Sequence, residues 1–257
     1  MGGLLRRVAL DVTPWRTSRD FRLLFLAGTV FYLGGMVSYV ALPYQLYRLT
    51  GSNLVVGAVG LVELVPLVVF GLWGGALADH VDRRTLVLST GIAQALLTAV
   101  LVVNVLLARP QVWVVFVIAA LLSAAQSLQR PSREALLPRT VRHDQLTAAV
   151  AMSSVGMQTG MLVGPAVGGI LVATVGVAWC FAVDVTGLVG ACVLFAMLRH
   201  YPSVEESEPP SLRRIGQSIT YAVRRPDLLG TYVVDLVAMF LALPTVLFPA
   251  LAQDVLR

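Results

Sequence analysis

LVLSTGIAQALLTAVLVVNVLLA, residues 86–108, carries no charged side chain along its whole length. An α-helix needs about 20 mainly apolar residues to cross the hydrocarbon core of a bilayer. Asp82, Arg83 and Arg84 precede the run and Arg109-Pro110 follow it. It therefore reads as one membrane span with a polar turn at each end. Working outward, the same pattern gives further spans at Leu23 to Tyr47, Leu54 to Ala78, Val112 to Gln129, Ala148 to Val175, Ala178 to Leu198 and Leu228 to Ala252. Short punctuators separate most of them. Residues 129–145 form a longer connection, expected to be a surface segment with a short helix of its own.

Composition agrees with this reading. Apolar residues make up 57% of the chain and charged residues 13%, against about a quarter charged in a soluble domain. Lipid is the solvent that tolerates such outward faces, provided every backbone group is bonded within a helix. The expected fold class is all-α: a polytopic transmembrane helical bundle of six helices followed by a seventh. The net charge of +5 is then no footprint of nucleic acid, because the question is which loops hold the cations. All are arginine. Alternate loops hold Arg6, Arg7, Arg16, Arg19, Arg22, Arg83, Arg84, Arg130, Arg133, Arg139, Arg142, Arg199, Arg213, Arg214, Arg224 and Arg225, while the other side has only Arg48, Arg109 and Arg257. The positive-inside rule puts the N-terminus in the cytoplasm of a cell-membrane protein.

The connection from His200 to Pro226 is different. Residues 203–211, SVEESEPPS, are acidic and proline-rich, the composition of a disordered segment. Leu212, Ile215, Ile219 and Val223 then share one helical face beside Arg213 and Arg214. Such a helix either lies on the membrane surface or packs on the protein. The organisation expected is a six-helix half over 1–200, a cytoplasmic linker over 201–227, and the first helix of an incomplete second half over 228–257. Six spans, a linker and more spans is the layout of a two-halved transporter, and it implies a C-terminal half beyond residue 257.

Two stretches carry mechanism. Residues 74–84 read GGALADHVDRR. The paired glycines permit close helix approach, and Asp79 is placed where the third helix begins, favourable for an anion. Residues 156–169 read GMQTGMLVGPAVGG. Glycines 156, 160, 164 and 168 recur every four residues and make one smooth stripe for a partner helix. Pro165 removes a backbone hydrogen bond within it.

These two stretches resemble the loop 2–3 motif and the helix-5 antiporter motif of the major facilitator superfamily. Within it, the chain is most similar to the enterobactin (siderophore) exporter group and the macrolide-efflux proteins. The resemblance implies a cytoplasmic gate formed by Gly75, Asp79, Asp82, Arg83 and Arg84. It implies a bending seam against the other half formed by Gly160, Gly164, Pro165, Gly168 and Gly169. Asp82 stands where the general motif has glycine. The span Val112 to Gln129 holds no arginine, although many drug/proton antiporters carry one there, so Arg130 is the nearest candidate partner for Asp79.

Three acids fall inside spans: Glu63, Asp184 and Asp235. Intramembrane carboxylates are costly and mark cavities, partners or proton routes. Glu63, three residues before Pro66, is the leading candidate for a proton-carrying group. Asp184, placed near the outer end of its helix, and Asp235 are read as candidates with helix–helix hydrogen bonds as the competing role. Tyr32, Tyr39, Asn104 and Gln126 are the other polar members that could line a cavity. Cys180 and Cys192 lie about 18 Å apart along one helix, too far for a disulfide.

The function that the resemblance implies is export of a small molecule, a siderophore such as enterobactin, by alternating access with proton exchange, with no enzyme activity, cofactor, metal or nucleic acid. No G-x-x-x-x-G-K-[ST] or H-E-x-x-H pattern is present. The alternatives are multidrug or macrolide efflux, and a non-transporting membrane scaffold.

Overall fold

Ser18 starts the first long helix. Its hydroxyl accepts from the Phe21 N–H at 3.1 Å and donates to the Thr140 carbonyl at 2.5 Å. One side chain thus caps a helix and ties it to another that ends more than a hundred residues later. The computed structural model describes residues 11–80 and 82–201 with residues 225, 230, 231, 233, 234 and 237; of residues 72–80 it describes the backbone alone. The amphipathic segment at 212–223 and most of the span at 228–252 lie outside the described residues, and so does Asp235.

Six long helices follow: α1 (Arg19–Thr50), α2 (Asn53–His80), α3 (Arg83–Leu106), α4 (Val112–Thr140), α5 (Leu146–Thr174) and α6 (Val177–Ala196). No strand occurs among the described residues. Each helix contains a stretch long and apolar enough to cross a bilayer. Helix α1 stops at Gly51, which takes the left-handed conformation (φ 63°) and returns its N–H to the Tyr47 carbonyl at 2.7 Å. Glycine meets that φ without the strain a Cβ would add.

The fourth helix corrects the sequence reading. It does not stop at Gln129 but continues through Pro131 and Pro138 to Thr140. The expected surface segment is therefore helix, and only a single 3-10 turn, His143–Gln145, separates α4 from α5. The physical reason lies in the burial pattern. Gln129, Ser132, Leu136 and Thr140 are all buried, at the spacing of one helical stripe. Packing of that stripe offsets the backbone bonds that the prolines forgo.

Apart from α3 and α4, helices adjacent in sequence hardly pack. The main pairings are α1 with α5 and α6, α3 with α4 and α6, and α2 with α4. Exchanging α1, α2 and α3 for α4, α5 and α6 leaves this set unchanged. The bundle is thus two three-helix repeats. Three is odd, so the second repeat enters the membrane from the opposite side, an inverted repeat. The pairings close a sequence of neighbours that runs α2, α4, α3, α6, α1, α5. Among the described residues the ends of that sequence, α2 and α5, make no substantial contact with each other, while α1 and α4 meet over a short length. One face of the bundle is consequently open, with α1 and α4 behind it and α2 and α5 at its sides.

Two apolar clusters fill the interior. Val37, Leu46, Leu101, Val115 and Phe181 pack at one end, and Leu24, Ala27, Val87, Leu136 and Phe195 at the other. The outer surface is apolar as well: Leu96, Val100, Val103 and Leu106 form an exposed stripe along α3. In water such a stripe would associate; in a bilayer it meets its own kind. Trp113 and Trp179, each in the first turn of its helix, are exposed at the same end of the bundle, where indole rings anchor at a membrane interface. The opposite end carries Arg19, Arg22, Arg83, Arg84, Arg139 and Arg199 and is called the arginine-rich end below. Cys180 and Cys192 are buried free thiols.

At the arginine-rich end, the Tyr201 hydroxyl donates to Asp20 Oδ2 at 2.6 Å, and Arg199 Nε lies 4.0 Å from the same oxygen. Burial, and then the bond to Asp20, push the Tyr201 phenol up to about 12, against about 10 in an unfolded chain. The folded protein holds this proton more tightly than the unfolded one. The stabilisation is therefore complete below about pH 10 and is lost as pH rises from there through the folded value. Tyr201→Phe should lower stability at neutral pH and remove this alkaline component. Paired melting curves at neutral and high pH check it, and an identical alkaline loss in the variant would contradict the assignment.

Candidate functional site

The turn between α2 and α3 is built around Asp82. Its Oδ1 accepts from the Thr85 N–H at 2.7 Å and the Thr85 hydroxyl at 2.8 Å, the pattern of a helix N-cap. This relocates the helix start read from the sequence. Helix α3 begins at Arg83, whereas Asp79 belongs to the last turn of α2. An anion at a helix C-terminus gains nothing from the dipole, so the cap falls to Asp82. Asp82 Oδ2 also lies 3.3 Å from His200 Nδ1. Arg83 donates to the Ala135 carbonyl of α4 at 3.2 Å. Arg84 donates to the carbonyls of Phe195 (3.4 Å) and Ala196 in the last turn of α6, where a cation complements the exposed carbonyls. Arg130 is exposed and pairs with Glu134 at 3.0 Å, one turn along α4. Gly75 and Asp79 fall in the part of α2 for which the backbone alone is described. These described contacts clasp α3, α4 and α6 within one bundle. Arg84→Ala should cost about 1–2 kcal/mol, the worth of a partly exposed charged hydrogen-bond pair. Thermal unfolding in detergent measures it, and an unchanged midpoint would count against the clasp.

The glycine stripe is buried, but its partner is not the one expected. A Cβ on Gly156 would meet Thr29 and Phe25; on Gly160, Tyr32 and Leu33; on Gly164, Met36 and Leu33; on Gly168, Val37 and Val40. All of these belong to α1. The seam expected against another half is thus, for Gly160, Gly164 and Gly168, the α1–α5 crossing inside this bundle. The reason is that α1 supplies a complementary ridge, which rises along Phe25, Thr29, Tyr32, Met36 and Val40. Pro165 is half-buried beside the seam, and Gly169 faces away from it into open space.

Of the intramembrane acids, Asp184 is buried, and it lies in the middle third of α6 rather than near its end. Ser38 of α1 donates to its Oδ2 at 2.5 Å, while Oδ1 is enclosed without a hydrogen-bond partner among the described residues. A Cβ on Gly34 would stand 2.6 Å from that Oδ1, so the acid is seated by the absence of a side chain opposite. Glu63 is half-buried on the stripe of α2 that includes Val56 and Val59 and faces α4. Its backbone carbonyl accepts from the Ser123 hydroxyl at 2.8 Å. The structure does not bring Glu63 and Asp184 together in any described contact.

The polar residues of α1, α3 and α4 divide. Asn104 is buried and locks the α3–α4 turn, accepting from the Gln111 N–H at 2.9 Å and donating to the Gln111 carbonyl at 3.3 Å. It lines no cavity. Tyr39 and Gln126 are exposed, seven residues after Tyr32 and before Arg133 respectively. Arg133 is the residue that the sequence reading missed as a functional candidate. Its Nη2 donates to the Tyr32 hydroxyl at 2.6 Å. The i, i+7 spacing to Gln126 would have exposed it, had α4 been continued past Pro131.

A family profile described as transmembrane secretion effector matches residues 11–248. The chain belongs to that family. It is a branch of the major facilitator superfamily, and this secretion-effector chain is accordingly a multi-pass membrane protein. Macrolide efflux protein A of Streptococcus pyogenes is 25% identical over 239 residues, covering 91% of this chain and 59% of that protein. The enterobactin exporter EntS of Shigella boydii serotype 4 is 24% identical over 245 residues, covering 95% of this chain and 59% of that protein. The secretion-effector chain thus spans 59% of the length of these curated relatives. Among solved structures, the peptide transporter POT in complex with sulfate superposes with a TM-score of 0.65 at 16% identity, covering 89% of this chain and 47% of that one. That likeness concerns the fold alone.

Proposed function

We propose that these six helices are one body of a secondary exporter, which carries a small molecule out of the cell by alternating access. The observation that carries this reading is the inverted three-helix repeat with one open face, on which Tyr32, Tyr39, Gln126 and Arg133 stand. An open polar face on an otherwise lipid-facing bundle calls for a second body against which it can rock. The lengths of the curated relatives support a partner half of comparable size. Siderophore export and macrolide efflux draw equal support, since the two relatives are about equally similar. Proton exchange is the proposed drive, with Glu63, Asp184 and Asp235 as the candidate route and Gly75, Asp79, Asp82, Arg83, Arg84 and Arg130 at the gating end. Everted vesicles presented from outside with either a catecholate siderophore or a macrolide test the reading. Uptake should depend on the proton gradient and vanish with a protonophore. Uptake of neither compound, or uptake indifferent to the protonophore, would sink the corresponding part.

The proposal places the arginine-rich end, and with it the N-terminus, in the cytoplasm of the plasma membrane. A cysteine introduced at Glu206, after replacement of Cys180 and Cys192, should react with an impermeant maleimide only in opened cells. Labelling of intact cells would reverse the orientation.

A further inference from the structure

We propose that Arg133, with Tyr32, is the receptor on the open face for an oxyanion carried by the exported molecule, and that a small aromatic acid is the cargo class that fits. This rests on the exporter reading and gives it a substrate chemistry.

Arg133 lies 21 residues after the start of α4, about 32 Å along the helix and so near the arginine-rich end. Its side chain does not reach out to water, as an arginine at a helix end normally does. It turns inward to Tyr32, which is 13 residues into α1, about 20 Å from that helix's start. The guanidinium lies 4.6 Å from the Tyr32 ring centroid and 5.1 Å from that of Phe31. Among the described residues its enclosed Nη1 has no hydrogen-bond partner, and no carboxylate is within ion-pair distance. The cation thus holds one donor engaged with Tyr32 and one enclosed donor that is unmet. Guanidinium N–H groups are matched by planar oxyanions, which an entering ligand would bring to that unmet donor. Because Tyr32 Oη accepts from Arg133, its own proton is left to donate. Two donors therefore stand together, and the chemistry they select is an anionic acceptor.

The surroundings narrow the class further. Gly28 and Gly35 flank Tyr32 at four residues before and three after, on the same side of α1, and a Cβ on either would meet nothing within 4 Å. Tyr39 follows on that side and is 49% exposed. The wall thus alternates bare backbone with tyrosine rings, which leaves flat room for an aromatic group beside the cation. Arginines along a membrane span that face a cavity mark substrate pathways.

The test is calorimetric binding to the full chain in phosphatidylcholine nanodiscs, with 2-naphthoate and its neutral counterpart 2-naphthalenemethanol. Wild type should bind naphthoate saturably and at least about tenfold more tightly than the alcohol, which is about 1.4 kcal/mol. Arg133→Gln should remove that preference, and Tyr32→Phe should weaken naphthoate by a few-fold without touching the alcohol. Arg133→Lys, which keeps the charge but not the planar fork, should fall between. The comparison of acid with alcohol within the wild type does not depend on any variant folding. Absence of saturable naphthoate binding to wild type, equal binding of acid and alcohol, or full naphthoate affinity in Arg133→Gln would each overturn the proposal. Replacement of the lipid by phosphatidylglycerol should leave naphthoate binding intact; its loss there would assign the site to a lipid headgroup and overturn the cargo role. Naphthoate binding is read without transport, so a failure of the exporter reading leaves this result standing, and a failure here leaves export untouched.

Discussion

Gly164→Leu should prevent the α1–α5 crossing from closing and, on the proposed exporter function, abolish export, while the helices still insert. A Cβ at this position would overlap Met36 Cβ and stand 3.1 Å from the Leu33 carbonyl oxygen. Met36 could rotate part of its chain, but the carbonyl belongs to the backbone of α1 and moves only if the whole helix retreats. Alanine alone should cost about 1–3 kcal/mol as overpacking, and leucine adds three more carbons to the same crowded point. Insertion survives because each helix satisfies its own backbone in lipid. Gly169→Leu is the control. It lies one residue beyond the stripe, with nothing within 4 Å, and should change stability by no more than about 0.5 kcal/mol. Thermal stability of the purified variants, read by size-exclusion after heating, gives the order wild type and Gly169→Leu, then Gly164→Ala, then Gly164→Leu. Wild-type melting and efflux in Gly164→Leu would mean that the crossing is not as close as described.

On the proposed exporter function, Asp184→Asn should leave a folded protein whose proton-driven efflux has dropped to background. The amide fits the same space and still offers an oxygen to Ser38, but it cannot take up and release a proton. Asp184→Leu separates the packing role from the protonic one. It leaves the Ser38 hydroxyl without its acceptor and drives a branched side chain at Gly34, so a destabilisation of about 2–4 kcal/mol is expected. Flux should be measured under an imposed proton gradient at matched expression. An Asn variant that exports at the wild-type rate would make Asp184 a packing group and leave Glu63 as the remaining described acid on the route.

Much of this architecture was legible because a bilayer demands long uncharged runs. Residues 86–108 announce a span with no help from tertiary contacts, and the arginine alternation orders the turns. What the sequence concealed concerns faces and ends. The apolar run ends at Gln129, which placed the end of the span there, yet the buried stripe through Ser132, Leu136 and Thr140 carries the helix on past Pro131 and Pro138. Asp79 and Asp82 are both acids near one boundary, and only the hydrogen bonds to Thr85 identify the cap. The glycine stripe was visible, but a smooth surface does not declare its partner; α1 is selected by a ridge spread over four turns. Arg133 was counted among the loop cations. Its inward course depends on where α4 ends, so one misplaced boundary hid both the helix and the cation. The three-helix repeat left no readable trace in the residues, since it is conserved in pairing geometry and not in side chains.

The pairing of distant helices also sets a timetable for biogenesis. Helix α1 is complete at Thr50, but its principal partner begins only at Leu146, and a ribosome adding ~5–20 residues per second takes roughly 5–20 s to reach it. Throughout that interval Phe25, Tyr32 and Met36 have no glycine stripe to dock into, and Ser38 has no Asp184. Neighbouring α2 gives α1 little to hold. The nascent chain therefore waits as separate helices until α4 emerges and gathers α2 and α3, after which α5 and α6 can collect α1. Retention of α1 and α2 at the insertion machinery until later helices arrive, with α3 and α4 the one adjacent pair able to close early, is the assembly route that this topology favours.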